Sequence, residues 1–150
     1  MSDSRIATGI RVGMLAAATT IGAVIGLGLR HGLALRPFSS TGRAVLSRLG
    51  FAPTAVTSVI VGLAAVTCAV VVLGVCFTVV AAALRGVRLL VAALVFGALA
   101  WAVNGLVVPS ILALSSGAVL GDAQRVFIFA LLALALVVGM RLARSTTHID

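Results

Sequence analysis

The sequence predicts an all-α integral membrane bundle of four transmembrane helices, and three observations carry that expectation. Hydrophobic residues make up 62% of the chain and charged residues 9%, where an average soluble domain has about 25% charged. Mean hydropathy is +1.30. The few charges are gathered between long uncharged stretches. With 150 residues the chain suits a single membrane domain.

The first uncharged stretch runs over 12–29, 18 residues between Arg11 and Arg30, about 27 Å as a helix. Its apolar part is long for a cleaved leader, and no A-x-A site follows, so a span is expected. The second covers 54–84, directly after Pro53. At about 46 Å it exceeds a hydrocarbon core of roughly 30 Å and has to tilt or protrude. The third is 89–108, bounded by Arg88 and Pro109. The fourth, 126–140, is only 15 residues between Arg125 and Arg141. That is about 23 Å, so its flanking arginines are expected to snorkel to the interface.

Every basic residue other than the two histidines is arginine, eleven in all, against three aspartates and no glutamate. The net charge of +8 does not point to nucleic acid, because the arginines are dispersed between apolar runs and form no single patch. They suit lipid phosphates and topology instead. Four crossings put Arg5, Arg11, Arg85, Arg88, Arg141 and Arg144 on one side and Arg30, Arg36, Arg43, Arg48 and Arg125 on the other. Six against five leaves the direction of insertion open. The loop arginines Arg30, Arg36, Arg43 and Arg48 read either as a contact for anionic lipid or as plain topology determinants.

Helix association in lipid depends on close packing and interhelical hydrogen bonds. Ala18, Gly22 and Gly26 recur every four residues in the first span, preceded by Gly9 and Gly13. Ser58 with Gly62, and Ala93 with Gly97, repeat the spacing in the second and third spans. The stripe at Ala18, Gly22 and Gly26 is the one expected to pack, within the chain or onto a second copy. Cys68 and Cys76 lie eight residues apart, about 12 Å along a helix, too far for a disulfide with each other. They read as small packing residues.

The connecting segments also carry signals. Val45, Leu46 and Leu49 fall on one side of a short helix, with Gly50 placed for a left-handed cap and Phe51 able to fold back on Leu46. Such a helix would lie in the interface plane. Asp122 is placed to cap the fourth span and to pair with Arg125 three residues on. The segments HGLALRPFSSTGRAVL from His31 and NGLVVPSILALSSGAVL from Asn104 match with gaps. One reading is a duplicated two-helix unit; the other is chance among common residues.

Catalytic chemistry finds little material. The titratable pool beyond arginine is Asp3, Asp122, Asp150, His31, His148 and the two thiols. No set has metal-ligand spacing, no G-x-S-x-G or P-loop occurs, and no cofactor is implied. The expectation is a protein that is not an enzyme, with no catalytic and no metal-binding residues. Asn104 is the main polar candidate, as a pathway ligand, an interhelical contact or a helix end.

The stretches GLRHGLALRPF and FGALAWAVNGLVVP, with the short final span ending MRLAR, resemble the small four-span inner-membrane proteins of unknown function in bacteria. No named family is matched. The resemblance implies a bacterial cytoplasmic (inner) membrane and no activity. Two functions follow as expectations. One is a non-catalytic homo-oligomeric or accessory membrane subunit, with the lipid bilayer and another copy or membrane protein as partners. The alternative is a small solute or ion channel or transporter lined by Thr19, Thr20, Asn104, Ser115 and Ser116.

Overall fold

A computed structural model of the chain describes residues 2–30, 32–103 and 122–146. The described residues form five α-helices: α1 Ser2–Leu29, α2 Arg36–Arg48, α3 Ala55–Ala81, α4 Gly86–Ala102 and α5 Asp122–Thr146. Three of them, α1, α3 and α5, are long and apolar enough to cross a membrane. The fourth apolar helix, α4, has 17 residues within the described range, about 26 Å.

Two helices outrun the spans read from charge. α1 starts at Ser2 and carries Arg5 and Arg11 on its own surface. Nothing in SDSRIATGIR breaks a helix, for it holds no proline, and Gly9 is held by packing on Val75 of α3. α5 likewise runs from Asp122 to Thr146. Arg125, Arg141 and Arg144 therefore ride on the helix, which removes the shortness of the 126–140 stretch. Charge ends an apolar run without ending a helix, since arginine is a good helix former.

α3 starts where its chemistry dictates. The Thr54 hydroxyl accepts from the Thr57 N–H at 3.2 Å, and the Thr57 hydroxyl accepts from the Thr54 N–H at 3.0 Å. That reciprocal pair is a capping box and satisfies two orphan donors.

α2 ends in a Schellman motif. The Phe51 N–H donates to the Leu46 carbonyl at 3.0 Å and the Gly50 N–H to that of Ser47 at 3.2 Å. Gly50 has φ +77°, the left-handed value the motif requires. The predicted fold-back onto Leu46 is thus made by the backbone, while the Phe51 ring stays 63% exposed. The buried face of α2 is Phe38, Gly42 and Leu46. Leu49, expected on that face, is 65% exposed because it already belongs to the turn.

Contacts set the order. α1 packs along both α3 and α5, α2 packs on α3, and α4 packs on α5. In order of extensive contact the helices run α2–α3–α1–α5–α4, with α1, α3, α4 and α5 sharing one core. α3 and α4 meet more lightly, where the Phe77 and Phe96 rings stand edge to face at 5.4 Å. Gly9 and Gly13 meet Val75 and Val71, so α1 and α3 are antiparallel; Val12 against Gly139 makes α1 and α5 antiparallel too. The main core gathers Val12, Ala16, Phe77, Leu89 and Leu136. A second cluster joins Val24, Phe38 and Ile128 at the other end of α1.

Candidate functional site

Among the glycine contacts of the described residues, the tightest are at the crossing of α2 over the first turns of α3. Phe38 and Gly42 of α2 lie against Gly62, and Gly42 also lies against Ser58. A Cβ on Gly42 would run into the Ser58 carbonyl oxygen, and one on Gly62 into that of Phe38. The two backbones touch because neither helix carries a side chain there. Ser58 assists by turning its hydroxyl inward along its own helix, donating to the Thr54 carbonyl at 2.6 Å.

This crossing holds α2 in one orientation and leaves its arginines outward. Arg36, Arg43 and Arg48 are exposed, as is Arg30 at the end of α1. α2, the end of α1 and the start of α5 share one end of the molecule, given the antiparallel order above. The loop arginines are therefore brought together at one end with Arg125, which is half-buried on α5.

At the opposite end Arg144 makes the most extended polar contact. Its Nη1 donates to the Leu84 carbonyl at 2.9 Å, and its Nη2 to those of Ala81 and Ala82, both at 3.1 Å. These carbonyls lie at the α3 C-terminus and in the turn after it, where Ala81 also accepts from the Leu84 N–H at 3.0 Å and a cation complements the helix dipole. Sequence reading counted Arg144 only as a topology charge. The available signal was local: α3 ends in AAALR, with no glycine to cap it before Gly86.

The small-residue faces separate by partner. Gly9 and Gly13 pack into α3, where a Cβ on Gly13 would stand 2.6 Å from the Val71 Cα. Gly97 packs on α5, against the Phe129 carbonyl and Ala133. Ala18, Gly22 and Gly26 are exposed, and a Cβ on either glycine would meet nothing within 4 Å. The geometry explains the split, since Gly22 lies nine residues, about half a revolution, from Gly13. Cys68 and Cys76, read as packing residues, are free thiols exposed on the outer face of α3. Their eight-residue spacing sets them about 80° apart around the helix.

The polar groups of the apolar helices are turned on themselves. Thr20 donates to the Ala16 carbonyl at 2.8 Å and Thr19 to that of Leu15 at 2.9 Å. Thr67 and Thr78 do the same toward Leu63 and Gly74. A hydroxyl spent on the i−4 carbonyl offers little to a permeating solute. Asn104, His31, Ser115 and Ser116 lie outside the described residues, as do the second copy of the apparent repeat and the side chain of Asp122. Among the described residues, no group of three His, Cys, Asp or Glu gathers within reach of one metal ion.

No known protein family matches the chain, and neither a curated protein nor a solved structure is similar to it.

Proposed function

We propose that this is a multi-pass protein of a bacterial cytoplasmic membrane, crossing four times and acting without catalysis as a homo-oligomeric or accessory subunit. The observation that carries the reading is the exposed stripe of Ala18, Gly22 and Gly26. The other close glycine contacts on α1, α2, α3 and α4 are filled from within the chain. A bare small-residue face in lipid is the kind of surface a second helix packs against. The length of α4 and its packing on α5 support a fourth crossing.

Light scattering in mild detergent tests the assembly. The wild type is expected as a multimer or bound to a co-purifying membrane protein. Gly22→Leu with Gly26→Leu is expected to release a folded monomer. A strictly monomeric wild type without a partner would sink the reading. Cysteine labelling tests the crossings, using Ser47→Cys, Ala83→Cys and Ser145→Cys singly with Cys68 and Cys76 replaced. Four crossings require positions 83 and 145 on one side and 47 on the other. Positions 83 and 145 on opposite sides would leave three.

A further inference from the structure

We propose that the exposed face of α2 is a docking surface for the headgroups of anionic phospholipids. The inference rests on the membrane reading of α1, α3 and α5 and adds a ligand to it. Four observations carry it.

The first is register. Arg36, Ser40, Arg43 and Ser47 follow one another at four, three and four residues, which places them within about 60° of arc. Phe38, Gly42 and Leu46, which hold α2 to α3, occupy a separate face. Two guanidiniums and two hydroxyls thus form one polar stripe, and the arginines are exposed.

The second is rigidity. The backbone contact of Gly42 with Ser58 and Gly62 removes freedom from α2, so the stripe is presented without a backbone ordering cost at binding, and only the side chains have to settle.

The third is level. α3 has 27 residues, about 40 Å, roughly 10 Å more than a hydrocarbon core. α2 lies beside its first turns, where that excess can stand in the headgroup layer. Leu35 and Leu49 at the two ends of α2, and Phe51 just beyond it, are all largely exposed. Exposed apolar groups flanking exposed arginines are what a helix at the acyl–headgroup boundary needs.

The fourth is charge. This end of the molecule holds Arg30, Arg36, Arg43, Arg48 and Arg125 against a single acid of the sequence, Asp122. The excess makes this end a net positive surface that an anionic headgroup complements. A guanidinium fork is suited to phosphate oxygens, while the Ser40 and Ser47 hydroxyls donate to the Pro37 and Arg43 carbonyls of their own helix and leave the recognition to the arginines.

The test uses the full chain in vesicles of equal phosphatidylglycerol and phosphatidylcholine, followed by native mass spectrometry of the lipids it retains. Resistance to carbonate extraction reports the membrane reading separately, whatever headgroup is found. The wild type is expected to retain phosphatidylglycerol in preference to phosphatidylcholine. Arg36→Gln with Arg43→Gln should lower that preference by about fivefold or more. Arg85→Gln with Arg88→Gln removes the same charge from the other end and should leave it within about twofold. Arg36→Lys with Arg43→Lys, which preserves charge, should retain most of it and exclude loss by misfolding. No preference in the wild type, or an equal fall in both glutamine variants, would overturn the proposal. So would a wild type indifferent to headgroup that is held through α2 by an acidic protein.

Discussion

Arg144 closes the far end of α3 by donating to the carbonyl of Leu84 at 2.9 Å, a contact spanning 60 positions of sequence. The same guanidinium serves Ala81 and Ala82, so one side chain ties together three carbonyls at the end of α3 and in the turn after it. Hydrogen bonds to a charged group contribute about 1.5–3 kcal/mol. Arg144→Met keeps much of the stem and removes the donors. It is expected to destabilise the protein by about 2 kcal/mol and to speed amide exchange in the last turn of α3. Exchange unchanged at Ala81–Leu84 would show that water replaces the guanidinium without loss.

Gly42→Ala and Gly62→Ala are expected to loosen α2 from α3. Each new methyl meets a backbone carbonyl, which cannot turn aside as a flexible side chain would. Overpacking of this kind costs about 1–3 kcal/mol. Gly22→Ala, with open space around it, should leave monomer stability unchanged. Spin-label distances between α2 and α3 separate the cases. An unaltered α2–α3 distance in Gly62→Ala would contradict the close crossing.

Phe77 is fully buried between α3 and its neighbours, stacked edge-on against Phe96. Phe77→Ala is expected to cost about 3–5 kcal/mol, read as a lowered midpoint of unfolding in detergent. Phe127 is exposed on α5, and Phe127→Ala should change that midpoint little. Equal effects would mean that the detergent, and not the core, sets the measured stability.

Cys68 and Cys76 face outward from the middle and later part of α3. In intact vesicles both should react with an apolar maleimide and neither with a sulfonated one, since a fixed charge does not enter the hydrocarbon. Reaction with the charged reagent would place that face of α3 in water.

The legible parts of this fold are those governed by neighbours in sequence. Gly50 followed by Phe51 announced the end of α2, because a left-handed glycine and the residue after it close a helix by themselves. The apolar runs located α1, α3, α4 and α5. Their ends were harder to place, because Arg11 and Arg141 interrupt hydropathy while the helix passes straight through them. Packing was legible only as a list of faces. The spacing of Ser58 and Gly62 marks a groove but cannot say that Phe38 and Gly42 fill it, and the spacing of Gly22 and Gly26 looks no different. Partner choice depends on crossing angles, which no single helix encodes. Arg144 was hidden for the same reason: its acceptors belong to a helix that ended sixty residues earlier.

The order of helix contacts also bears on how the molecule comes into being. α1 is the only helix that touches both α3 and α5 extensively, and it precedes both in the chain. A translating ribosome therefore delivers the shared strut before either piece that leans on it. α3 arrives with α2 already able to clasp its first turns, and the α4–α5 hairpin completes the opposite flank last. Assembly can follow synthesis in two steps, since α3 finds α1 already made and seats α2, and α5 then finds α1 and seats α4.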